Sequence, residues 1–102
     1  SKCKSTRFTI RAIDSSNKVL PIYRTDRKSQ MCTVSPICVI GKTAESDLVV
    51  DVSSRGSVSL SDSDDDHSMS YSSSTGIYTI SFTNPTSTAP EVAQLTIESA
   101  VI

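Results

Sequence analysis

One short run of this chain concentrates groups able to do chemistry: Asp62-Ser63-Asp64-Asp65-Asp66-His67. Asp62, Asp64 and Asp66 have the alternate spacing of the first oxygen ligands in a calcium loop, whose hard cation takes roughly six to eight oxygens. The spacing then fails. Where such a loop turns on a glycine this chain has His67, and where a bidentate glutamate would close the shell it has Ser73. A solvated acidic turn is therefore expected, with no metal or other cofactor. Ser61 and Ser63 each have an aspartate three residues on, as acidophilic kinases prefer, which makes them candidate phosphorylation sites. A phosphate there would add negative charge to a negative loop and oppose its packing.

Other constellations are sparse. His67 is the single histidine, and no Gly-x-Ser-x-Gly turn or phosphate-binding loop accompanies it, so a non-enzyme is expected. Zinc is not expected either, with one histidine and no Cys-x-x-Cys pair. The cysteines are Cys3, Cys32 and Cys38. A three-residue turn at Val34-Ser35-Pro36 would bring Cys32 and Cys38 face to face for a disulfide. A two-residue turn would set Cys38 against Thr33 and forbid it. Buried free thiols are the expectation, and the Cys32–Cys38 bridge is the alternative.

The elements that must position these groups are strands. Gly76-Ile77-Tyr78-Thr79-Ile80-Ser81-Phe82-Thr83-Asn84-Pro85 alternates large apolar with small polar residues between a glycine and a proline. Tyr78, Ile80 and Phe82 then share the inner face of a half-buried strand. The same period places Phe8, Ile10 and Ala12 inward, then Leu48, Val50 and Val52, and finally Ala93, Leu95 and Ile97. Val58 and Leu60 make a short strand, and Met69 and Tyr71 begin a brief one. Asp14-Ser15-Ser16-Asn17 has turn chemistry. Val19–Tyr23, interrupted by Pro21, reads as an edge segment or loop. Met31–Ile40, with Ser35-Pro36 inside it, reads as a small hairpin or a broken strand. Gly41–Ser46 and Asp62–His67 read as loops. No helical period of useful length appears, so the chain is all-β.

Composition agrees. The 102 residues suit one domain with one core, and 36% hydrophobic with 5% aromatic residues makes that core lean and aliphatic. The longest apolar runs, such as Ile37-Cys38-Val39-Ile40, fall far short of the roughly 20 residues of a spanning helix. The chain starts at Ser1 and stops at Ile102, and is read as a piece of a longer, multidomain protein. Odd cysteine number, and an Asn84-Pro85-Thr86 acceptor blocked by its proline, point to the cytoplasm, with an extracellular setting as the alternative. Net charge is −1 but uneven: Lys2, Lys4, Arg7, Arg11, Lys18, Arg24, Arg27 and Lys28 precede nearly all the carboxylates. A sandwich interleaves distant strands, so the two halves are expected to neutralise each other rather than bind nucleic acid.

Phe8-Thr9-Ile10-Arg11-Ala12-Ile13-Asp14, then Leu48-Val49-Val50-Asp51-Val52 running into Ser53-Ser54-Arg55-Gly56-Ser57, then Gly76–Pro85, stand in the order of a known pattern. Together they resemble a divergent filamin-type immunoglobulin repeat. The chain departs from that family at Thr75, where an aspartate is usual, around Ala89-Pro90-Glu91-Val92, where a second Gly-x-Tyr is usual, and at its last four residues. Residues 18–46 look like an insertion. The resemblance implies an immunoglobulin-like antiparallel β-sandwich of about seven strands occupying residues 1–102.

It also implies a non-catalytic module. Filamin-type repeats space domains in actin crosslinkers and in tripartite-motif NHL-repeat proteins, and several add a partner strand beside their third and fourth strands. Carried onto this chain, that surface is Val49, Asp51, Ser53, Val58 and Ser61. The expected partners are proteins or neighbouring domains, with no membrane. Two alternatives stand beside this reading. One is an extracellular adhesion or receptor module; the other is an accessory nucleic-acid-binding domain using Lys2, Lys4, Arg7, Arg24, Arg27 and Lys28.

Overall fold

Alternation along the chain decides which side chains meet in the middle, and pairing then decides which strands lie at the rim. The computed structural model describes residues 7–28, 32–63, 65–83 and 90–98, and every regular element among them is a strand. In chain order these are β1 (Phe8–Asp14), β2 (Val19–Leu20), β3 (Ile22–Thr25), β4 (Thr33–Val34), β5 (Ile37–Ile40), β6 (Leu48–Ser54), β7 (Val58–Ser63), β8 (His67–Ser72), β9 (Ile77–Phe82) and β10 (Glu91–Glu98). One antiparallel sheet runs β2-β1-β6-β9-β8. In the other, β10 is flanked by β5 and β4 on one side and by β7 on the other, with β3 outside β5. The two sheets pack as an immunoglobulin-like β-sandwich.

The expected inner rows are the core. Ala12, Leu48, Val50, Val52, Ile80, Phe82, Ala93, Leu95 and Ile97 are all buried, with Phe8, Ile10 and Tyr78 half-buried against them. Each large aliphatic or aromatic side chain withdrawn from water contributes roughly 1.5–3 kcal/mol, which is what offsets the entropy of ordering the strands. Polar neighbours on the outer faces leave that energy undiluted.

Local chemistry sets the turns. The Asp14 carboxylate accepts the N–H groups of Ser16 and Lys18, both at 2.9 Å, and closes the β1–β2 hairpin. Asn17 takes the left-handed conformation this turn needs, at φ 61°. Pro21 then ends β2 and the chain crosses from one sheet to the other. Gly41 N–H bonds to the Pro21 carbonyl at 2.8 Å, and a Cβ on Gly41 would lie 2.8 Å from the Pro21 ring, so only glycine fits. In the β8–β9 hairpin Gly76 has φ 72° and donates to the Ser72 carbonyl at 2.8 Å.

The structure decides three readings. First, of the two readings of Met31–Ile40, the described residues 33–40 form the broken strand and not the hairpin. β4 and β5 hold one common register against β10, with Ile97 opposite Val34 and Gln94 opposite Ile37, and Leu95 N–H donates to the Pro36 carbonyl at 3.0 Å. β4 and β5 are thus two pieces of one path along β10, broken at Ser35-Pro36, where proline keeps its acceptor and has no donor. Second, the acidic segment is not all loop: β7 continues to Ser63 and β8 begins at His67, so Asp62, Ser63 and His67 are strand and three residues connect them, of which Asp64 lies outside the described ones. Third, the described residues form ten strand segments, two of the breaks between them falling at Pro21 and Pro36.

The core assignment has a direct consequence. Phe82→Ala should lose about 3–5 kcal/mol of unfolding free energy, the usual cost of emptying a fully buried aromatic site. Gly76→Ala should lose about 1–2 kcal/mol through left-handed strain. Urea titrations followed by circular dichroism measure both; a Phe82→Ala loss below about 1 kcal/mol would contradict the packing.

Candidate functional site

The sandwich is open along one side. Among the described residues β7 is bonded only to β10, and β8 only to β9, so the two are rim strands of opposite sheets joined by a short connection. In that corner lies a groove of about 490 Å³ lined by Leu60, Ser61, Asp62 and Ser63 of β7, by Asp65 and Asp66, and by His67 of β8. His67, Met69 and Tyr71 stand opposite Phe82, Ile80 and Tyr78, and so face inward. Yet Met69 is 41% and Tyr71 54% exposed, so no strand among the described residues of the facing sheet covers them. The Tyr71 and Tyr78 rings contact at 4.4 Å between centroids, and His67 lies 6.2 Å from Phe82.

The register between β7 and β10 shifts at Gln94/Leu95: Leu60 opposes Leu95, whereas Asp62 opposes Gln94. The extra residue is Ser61, whose hydroxyl lies 2.7 Å from that of Thr96. This bulge twists the rim and turns Ser63 inward, where its hydroxyl donates to the Asp65 carbonyl and sits 3.1 Å from His67 Nδ1. Both candidate phosphorylation hydroxyls are therefore held in local hydrogen bonds, Ser61 exposed and Ser63 half-buried.

The partner surface inferred by resemblance is divided. Val58 and Ser61 lie on β7, whose outer side is unpaired. Val49, Asp51 and Ser53 lie on β6, which is bonded to β1 on one flank and β9 on the other. A strand with both ladders filled cannot accept a third, so β6 is corrected out of any strand-addition surface. Asp51 instead faces Arg11 and Thr79 across the sheet and accepts the Thr79 hydroxyl at 3.1 Å.

The cysteines separate likewise. Cys38 is a buried free thiol, 1% exposed, while Cys32 is disulfide-bonded. The Cys32–Cys38 bridge is not made, nor are both thiols free. Cys32 takes a left-handed φ of 61° just before β4, and β4 and β5 then follow one another along β10 instead of folding back, so no hairpin brings Cys38 to it. Cys3 lies outside the described residues, as do Lys2, Lys4 and the Asn84-Pro85-Thr86 sequence.

Arg24 is occupied. Its Nε lies 3.3 Å from Asp26 Oδ1, and its guanidinium stacks 4.5 Å above the Phe8 ring. Arg7, Arg27 and Lys28 are exposed. Among the described residues no group of acidic, histidine and cysteine side chains is arranged to hold a metal ion.

Sequence reasoning missed two features. Lys42 and Glu91 are buried, 3% and 1% exposed, and each has an interacting partner. Burial of a charge shows no period in sequence. The second is an apolar row on an outer face: Tyr23 stands opposite Val39 and Val39 opposite Val92, with Tyr23 70% exposed. Comparison with known proteins adds nothing to the geometry: no protein-family model, curated protein or solved structure matches this chain.

Cys38 provides a test of this arrangement. Burial pushes its thiol up to about 11, with Arg24 partly opposing and Asp26 reinforcing the rise. A thiol that holds its proton more tightly when folded contributes stability that is complete below its ordinary value of 9.0 and is lost as pH rises from there towards 11. Cys38 should resist iodoacetamide at pH 8 until denaturant is added. Cys38→Ala should lack this part of the alkaline loss of stability; an identical pH profile for both chains would count against a buried thiol.

Proposed function

We propose that this chain is a non-catalytic, filamin-type immunoglobulin-like module that spaces or orients neighbouring domains and captures an extended partner segment along β7. One observation carries the reading: β7 has a single neighbouring strand and borders an open groove. An unpaired strand offers a row of backbone donors and acceptors, and a segment bonding to them would gain its affinity from the main chain. Its specificity would come from alternate side chains, those facing inward meeting Leu60 and those at the corner meeting Asp62, Asp65 and Asp66. That rim favours a partner bearing lysine or arginine.

A second reading, an extracellular adhesion or receptor module using the same edge, is supported by the disulfide at Cys32. Disulfides persist in secreted proteins and are rare where glutathione keeps thiols reduced. Intact mass before and after alkylation, on protein from its native compartment, distinguishes the two. Three alkylated cysteines under denaturing, non-reducing conditions would favour a reducing compartment, and one would favour the extracellular reading.

Strand capture itself is tested by selecting a random-peptide display library on the chain and mapping the best peptide by amide chemical shifts. The expected result is a peptide rich in lysine or arginine that perturbs Val58–Ser63 and leaves β6 unchanged. Asp62→Lys should weaken it about tenfold, or about 1.4 kcal/mol. Shifts confined to other strands would sink the proposal.

A further inference from the structure

The rims of this sandwich are not equally protected. β2 is two residues long and is followed by Pro21. The open half of β1 carries Arg11. β3 carries Arg24, on the same side of the strand as Ile22 and clamped by Asp26. β7 carries a bulge and Asp62. Short length, proline, inward charge and bulges are the usual means by which a sheet edge avoids pairing with another copy. β8 has none of them over Ser68-Met69-Ser70-Tyr71-Ser72: five uncharged residues without proline, all exposed, and bonded on one side only.

We infer that β8 is a self-association edge, pairing antiparallel with β8 of a second copy of this chain about a two-fold axis at Ser70. The register follows from the sequence of the strand. With Ser70 opposite Ser70 of the second copy, Met69 stands opposite the second Tyr71, and Tyr71 opposite the second Met69. Ser68 and Ser72 oppose each other likewise. One face of the joint becomes a row of serines; the other becomes two methionine–tyrosine pairs, a favourable contact of sulfur with an aromatic ring. Met69 and Tyr71, two of the apolar side chains that the sandwich leaves exposed, thereby cover one another.

Charge identifies the occupant. A second copy brought to β7 would set Asp62, Asp65 and Asp66 near their own equivalents, which like-charge repulsion opposes, whereas at β8 nothing charged is opposed between Ser68 and Ser72. A two-fold contact must be self-complementary, and the alternation Ser-Met-Ser-Tyr-Ser is. Six residues a side is well below the roughly 20–30 of a standard interface, so the dimer is weak and concentration-dependent. Lacking ion pairs, it is also insensitive to salt. The inference is independent of strand capture at β7.

Sedimentation equilibrium of the chain across a concentration series is the test. The expected result is a monomer–dimer equilibrium unchanged by added salt. Ser70→Lys places two ammonium groups at the axis and should weaken it at least tenfold, with an unaltered circular dichroism spectrum because Ser70 is exposed. Met69→Lys should act in the same direction. Ser59→Lys, on β7, should leave it unchanged. A chain that stays monomeric to about 1 mM overturns the inference. So does a dimer that survives Ser70→Lys or is broken by Ser59→Lys.

Discussion

Contact between the inner row of β10 and the inner rows of β6 and β9 is the interaction the rest of the structure requires. Ala93, Leu95 and Ile97 are buried on one side of the interior; Val50, Val52, Ile80 and Phe82 are buried on the other. For that row to stay dry, β10 must have a strand on each flank. One is β7, joined through a bulge. The other is the stretch 33–40, which holds a single register through Pro36 because the proline carbonyl still accepts from Leu95. The chain between β1 and β6 is thus part of the sandwich wall and not an appendage.

That wall explains where polar chemistry sits. Cys38 faces inward from β5 and is sealed there, so its thiol is raised and inert rather than reactive. Arg24, opposite it on β3, turns inward as well, and the ion pair with Asp26 and the Phe8 ring make that orientation tolerable at the rim. The cation is then spent on structure. It adds little to any basic surface, although it belongs to the charged N-terminal third.

Filling both flanks of β10 and both flanks of β6 leaves β7 and β8 as the long rims, one in each sheet and both at the same open corner. Their side chains differ in kind. β7 and its connection are acidic and bulged, suited to a foreign, positively charged segment. β8 is neutral and regular, suited to its own copy. Bonding capacity is a property of the backbone and is equal in the two; charge and regularity are what distinguish them.

Inner and outer faces were legible from residue type alone, since a two-residue period with β-branched and aromatic residues admits one orientation per strand. Phe8–Ala12, Leu48–Val52, Tyr78–Phe82 and Ala93–Ile97 all bury the expected side, and the turn at Asp14–Asn17 is where its side-chain chemistry put it. The candidate site was legible only in part: Val58 and Ser61 lie on a free edge, but Val49, Asp51 and Ser53 do not. Alternation says which way a side chain points and nothing about how many neighbours its strand has. Met69 and Tyr71 carry the same pattern as Ile80 and Phe82, yet stay exposed on a strand at the rim of its sheet. The face of each strand is a local property of the chain; the edge is a property of the assembled sheets, set by which distant segments take the places on either side.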